Sequence, residues 1–153
     1  MAREAGPIET RIKSDTVVAL KAGDKQRTQA LRLLTAALKK ERIDAGKDPL
    51  EADEIVVLKR ERKRRLEALE IYKSAARPEL AAKEEFEEQV IAVYLPEELG
   101  EEEITRLVDE AIAASGAQSA KDMGKVMGAV MRQIAGRADG AIVRQVVQQR
   151  LGA

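Results

Sequence analysis

Apolar residues recur along this chain at intervals of three and four, and no stretch alternates convincingly at period two. The pattern therefore predicts helices and no sheet. In a first helix over residues 8–22, Ile8, Ile12, Ala19 and Leu20 are expected to face inward. Gly23 ends it and Asp24 is placed to cap the next. The second, about 25–45, carries Leu31, Leu34 and Leu38, and Gly46-Lys47-Asp48-Pro49 stops it. The third, from 51 to about 74, is the longest, with Ile55, Leu58, Leu66, Leu69 and Tyr72 as its apolar stripe. Pro78 opens a fourth, because proline is tolerated in a first turn. This helix reaches about Tyr94, with Phe86, Val90 and Val93 inward and Glu84, Glu85, Glu87 and Glu88 outward. Pro96 disfavours helix at Leu95, so Tyr94 to Gly100 is a boundary. A fifth helix, 101–115, has three glutamates in its first turn, where the helix dipole favours acids. Its apolar side is Ile104, Leu107, Val108 and Ala111, and Gly116 ends it.

The stretch from Ser119 to Leu151 predicts two short helices around Gly136-Arg137-Ala138-Asp139-Gly140. Ser119 is a cap candidate, with Asp122 three residues on. Met123, Met127, Val130 and Ile134 stripe one face, and Lys121, Lys125, Gly128 and Arg132 the opposite one. Gly124 and Gly128 each cost roughly 1 kcal/mol against alanine inside a helix, which asks for close approach by another helix or by an external ligand. Asp139 caps the last helix, with Val143, Val146, Val147 and Leu151 inward and Gln145, Gln148 and Gln149 outward. The sum is an all-α chain: an N-terminal four-helix bundle over residues 1–95, then a C-terminal three-helix bundle over 96–153.

Composition narrows the chemistry. Aromatic residues make up 2% of the 153, namely Tyr72, Phe86 and Tyr94, so the core is aliphatic. Cysteine and histidine are absent, which removes disulfides, thiolate chemistry and the commonest general base and metal ligand. No catalytic residue, cofactor or metal is expected. Without an apolar leader or a run of about 18 apolar residues, a cytoplasmic protein is expected and no membrane partner. Net charge is zero, so any attraction to a polyanion is local. From Ser119 to Leu151, Lys121, Lys125, Arg132, Arg137, Arg144 and Arg150 face only Asp122 and Asp139, a surplus of four positive charges. A second basic run, Lys59 to Arg65, lies on the third helix. There Lys59, Arg60, Lys63 and Arg64 point outward, while Arg62 and Arg65 fall in the apolar stripe. Those two must either snorkel or pair with carboxylates on a neighbouring helix, pairing being favoured over a ligand role, and the acidic fourth helix is the natural source.

Asp122-Met123-Gly124-Lys125-Val126-Met127-Gly128, followed by Gly136-Arg137-Ala138-Asp139-Gly140, resembles the tail of the GatB/YqeY family. The Tyr94-Leu95-Pro96 hinge and the acidic helix start are similar too. The likeness runs from about Ile8 to Leu151. Gly100 departs from it, standing where the family commonly has a Ser or Thr cap. The resemblance implies the same four-plus-three helical arrangement, and kinship with the tail of the B subunit of tRNA-dependent amidotransferase. That enzyme amidates Glu or Asp misacylated on tRNA, and its tail is a tRNA-contacting appendage. Carbon–nitrogen ligase activity with glutamine as amido donor reaches this chain by kinship only, since nothing here resembles the phosphorylating or ammonia-releasing parts.

Three functions are then in play. A tRNA or structured-RNA binding module would use Lys121, Lys125, Arg132, Arg137 and Arg144 for charge. Gly124, Gly128, Gly136 and Gly140 would give close backbone approach. Stand-alone catalysis lacks a motif: Ser14, Ser74, Ser115 and Ser119 are the only serines, none with a base in view. A protein adaptor, docking on an aminoacyl-tRNA synthetase or amidotransferase, would rely instead on the charged third and fourth helices.

Overall fold

A computed structural model describes residues 3–152, and all regular structure among them is helical. Seven α-helices follow one another: α1 Pro7–Lys21, α2 Lys25–Ala45, α3 Glu51–Ser74, α4 Pro78–Ala92, α5 Glu101–Ser115, α6 Met123–Ile134 and α7 Gly140–Arg150. A single 3-10 turn, Ala120–Asp122, precedes α6. The chain divides into two compact units, Met1–Leu95 and Pro96–Ala153. The punctuation works as its chemistry demands. Asp24 accepts the Arg27 N–H at 3.0 Å at the start of α2, and Gly46 and Gly116 close α2 and α5 in the left-handed conformation. At the start of α3 the Asp53 carboxylate accepts the Leu50 N–H at 2.9 Å, which is half of a capping box.

In the first unit α1 packs on α2 and α3 on α4, around Ile12, Leu31, Leu34, Leu58 and Ile91. Polar residues are built into this core. Pro7 and the residues after it leave the first N–H groups of α1 without helical partners. Glu54 of α3 supplies the acceptor: its carboxylate takes the N–H of Ile8 at 2.9 Å and of Glu9 at 2.7 Å. Burial, opposed by those two hydrogen bonds, holds the Glu54 carboxyl above its ordinary pKa. A Cβ on Gly6 would lie 2.5 Å from this carboxylate, so only glycine lets the acid seat there. Glu9 is itself fully buried. Arg42 of α2 donates from Nε to both its oxygens, at 3.2 and 3.1 Å, and from Nη1 to the Arg3 carbonyl.

Two arginines in the α3 stripe find acids on α4, as the amphipathic pattern requires. Arg62 donates to Glu88 at 2.8 Å. Arg65 donates to Glu61 at 2.7 Å, and its Nε lies 3.3 Å from Glu87 at an angle too poor for a hydrogen bond, so the second contact is charge alone.

The inward face of α3 differs from the expected stripe. Glu54, Val57, Leu58, Glu61 and Leu69 are its buried residues, while Leu66 is exposed and Ile55 and Tyr72 are half-buried. The face is turned because two carboxylates belong to it: Glu54, whose partners are on α1, and Glu61, which pairs with Arg64 and Arg65 of the same helix. Leu20 and Val93 also differ, at 56% and 55% exposed. Leu20 sits in the last turn of α1, and α4 stops at Ala92, so Tyr94 takes the inward place instead. The Tyr94 hydroxyl donates to Asp15, and the Arg11 guanidinium stacks 4.9 Å from its ring centre.

Replacing Arg42 with methionine leaves the buried Glu9 carboxylate with only the more distant Lys13, 3.5 Å away, as counter-charge. The expected loss is about 3 kcal/mol, read from equilibrium urea unfolding. Gly6→Ala displaces the Glu54 cap and should cost about 1–2 kcal/mol in the same assay; wild-type stability in that variant would contradict the cap.

Candidate functional site

The second unit is held by an aliphatic core of Ile104, Val108, Val126, Val130, Ile134, Val143 and Val147. On α6 the fully buried positions are Val126, Val130 and Ile134, with Met123 and Met127 only half-buried. The stripe is thus centred one position away from the expected Met123–Met127 line. At about 100° per residue, the opposite side of α6 carries Gly124, Lys125, Gly128 and Arg132, and all four are exposed.

Capping fixes the ends of this rod. Ser119 accepts the Lys121 N–H at 3.3 Å, and Asp122 accepts the Gln118 N–H at 3.0 Å. Lys121 therefore lies in the 3-10 turn before α6. At the far end Ala135 and Gly136 are both left-handed, with φ of 48° and 83°. Arg137 seals that end: Nε donates to the Ile134 carbonyl at 3.0 Å and Nη2 to Gln133 at 2.9 Å. Its own carbonyl accepts the Leu99 N–H at 2.8 Å, tying the approach to α5 into the turn. Asp139 then caps α7 through the Ala141 N–H at 2.8 Å.

Two grooves flank the exposed face of α6. Toward α7, Met123, Gly124 and Met127 line one with Gly140, Ala141, Arg144, Gln145 and Gln148, about 910 Å³ in all. Toward α5, Lys125, Ala129, Arg132 and Gln133 line the other with Ala111, Ala114, Ser115 and Glu110, about 500 Å³. The candidate residues divide accordingly. Gly124, Gly140 and Arg144 share the first groove, and Lys125 and Arg132 the second. Gly128 sits on the exposed face of α6 that both grooves border. Gly136 and Arg137 are half-buried in the turn, with the guanidinium committed to helix carbonyls. Lys125 donates to the Ser115 carbonyl at 3.3 Å and Arg132 to the Gly128 carbonyl at 3.2 Å. These bonds hold both side chains without neutralising them. The side chains of Lys121 and Arg144 have no hydrogen-bond or ion-pair partner among the described residues. Gln145 and Gln148 join the groove beyond the residues expected from the sequence; the spacing 141, 144, 145, 148 places them with Arg144 on one side of α7.

A Cβ at Gly124 or Gly128 would meet nothing within 4 Å. No neighbouring helix therefore requires them, and the usual role of a helical glycine, close packing, does not apply. Gly140 is in ordinary contact range only, 3.7 Å from the end of Met131.

Fold and site together define an all-helical protein whose C-terminal unit presents a basic helix face with uncovered backbone. The chain belongs to the Yqey-like protein family, whose model matches residues 9–151. No curated protein matches it. Among the described residues no helix is long and apolar enough to cross a membrane.

Because those two positions are open, Gly124→Ala and Gly128→Ala should each stabilise the protein, by up to about 1 kcal/mol. A thermal melt checks this; a lowered midpoint in either would mean the position is packed after all.

Proposed function

We propose that this protein is a non-catalytic RNA-binding accessory factor, with tRNA as the ligand class, and that the α6 face with its two grooves is the contact. The observation that carries the reading is the pair of helical glycines whose cost nothing inside the chain offsets. Bare backbone flanked by Lys125, Arg132 and Arg144 suits a ligand that brings phosphate and sugar close to a helix. The second unit has no aromatic residue, so bases have nothing to stack on, and recognition is by shape, phosphate and 2′-hydroxyl. Gln145 and Gln148 offer donors and acceptors to such hydroxyls. Kinship with the amidotransferase tail supports the same reading, with association to a tRNA amidotransferase or synthetase, in the cytoplasm, as its setting. In this reading the two units are a four-helix bundle, 1–95, and a three-helix bundle, 96–153, with the second as the grip.

Filter binding to bulk tRNA over a salt series tests it. With four or five phosphates neutralised, log affinity should fall against log salt with a slope of roughly −3 to −4. Lys125→Glu with Arg132→Glu should abolish binding while the fold persists. Gly128→Ala should bind more weakly although more stable. A folded double variant that binds like its parent would overturn the assignment.

A further inference from the structure

Residues 59–65 of α3 hold six cations and one acid, Glu61. Such a run places Lys59 above Lys63 and Arg60 above Arg64, like charges one turn apart that oppose helix formation. The packing of α3 on α4 does not relieve them. Arg62 and Arg65 face α4 and take up Glu88 and Glu87. Arg64 lies 3.4 Å from Glu61, but that carboxylate already accepts from Arg65 at 2.7 Å. Arg60 reaches the half-exposed Glu41 at 3.5 Å. Lys59 and Lys63 have no ion partner among the described residues. Arg60 and Arg64 thus have only long contacts to acids, at 3.5 and 3.4 Å, the α4 acids are taken up by Arg62 and Arg65, and Lys59 and Lys63 keep their charge. Lys59 and Lys63 stand about 6 Å apart along the helix axis, a row that can follow a line of anionic groups.

We infer that the outer strip of α3, Lys59, Arg60, Lys63 and Arg64, is a second RNA contact that grips the phosphate backbone. The inference rests on the RNA reading of α6 for its ligand, and adds a contact on the other unit. Its energetic signature is a trade: the repulsion within the strip lowers helix stability and is relieved when phosphates arrive.

Lys59→Gln with Lys63→Gln tests it in the whole chain: Lys63 is exposed and Lys59 half-buried, and glutamine keeps most of the methylene stem, so the changes remove mainly charge. The thermal midpoint should stay level or rise slightly. Affinity for bulk tRNA should fall about tenfold near 0.1 M salt, and the salt slope should shrink by about 1 to 2. Unchanged affinity and slope would overturn the inference; if Lys125→Glu with Arg132→Glu still abolishes binding, the α6 assignment survives alone. Should the α3 variant lose binding while that α6 variant keeps it, the strip stands and the α6 assignment falls.

Discussion

The first unit depends on carboxylates placed where a hydrophobic core would ordinarily exclude them. With three aromatic residues in the whole chain, the aliphatic core has few large side chains with which to define helix orientation. Glu54 and Glu9 do part of that work. Glu54 reaches from α3 under the first turn of α1 and satisfies two N–H groups that no residue of α1 can satisfy. Glu9, one turn into α1, then pairs with Arg42 from α2. Three helices are tied at one point by charge-assisted hydrogen bonds whose geometry is directional, as Leu–Leu contacts are not. Such buried pairs contribute little net stability compared with apolar packing, but removing one partner is expensive, so the register of α1 on α2 and α3 is well determined.

The seam of α3 and α4 follows the same logic with a different outcome. Arg62 and Arg65 are long enough to lay their methylenes along apolar neighbours while their heads meet Glu88 and Glu87. Glu84, alongside Glu87, is held above its usual pKa by burial and by that neighbouring charge. Acidic α4 thus concentrates negative charge at the seam, and α3 carries its remaining cations away from it. One amphipathic helix therefore serves both packing and surface charge, divided by which residues the periodicity turns inward.

Helix existence and helix ends were legible in the residues, because they are local. Asp24, Gly46, Gly116, Asp139 and the prolines act within one turn, through bonds whose partners are near in sequence. Facing was less legible. On α3 the apolar residues alone suggested a stripe through Leu66, but Glu54 and Glu61 belong to the buried side. Glu54's partners are at the N-terminus of α1, more than forty residues away, and nothing near it in the sequence announces them; Glu61 pairs with Arg65 one turn on, but that arginine faces inward only because it also answers α4. On α6 the same difficulty is milder: the spacing predicts a stripe of Met123, Met127, Val130 and Ile134, of which Val130 and Ile134 are buried, whereas Val126 joins them and the methionines line a groove. The openness above Gly124 and Gly128 could not be read at all, since a helical glycine looks alike whether a neighbour or solvent lies over it.

Charge in the second unit sets how any polyanion must meet it. The stretch from Ser119 onward is basic, but the unit as a whole holds nine acids against seven cations. The acids gather before and along α5, where Arg106 bridges Glu103 and Glu110 and Asp109 pairs with Arg150. A ligand several Debye lengths away, each about 8–10 Å at physiological salt, meets no net attraction. Steering is therefore weak, and affinity has to come from contacts at hydrogen-bonding range. At that range the side chains of α5 are a hindrance and those of α6 are not, because two of its outward positions have no side chain. The glycines matter more in an acidic unit than they would in a basic one: on the proposed reading, phosphate would come close enough to Lys125, Arg132 and the helix backbone, with no Cβ in the way at Gly124 and Gly128, for short-range attraction to exceed the repulsion of the surrounding carboxylates.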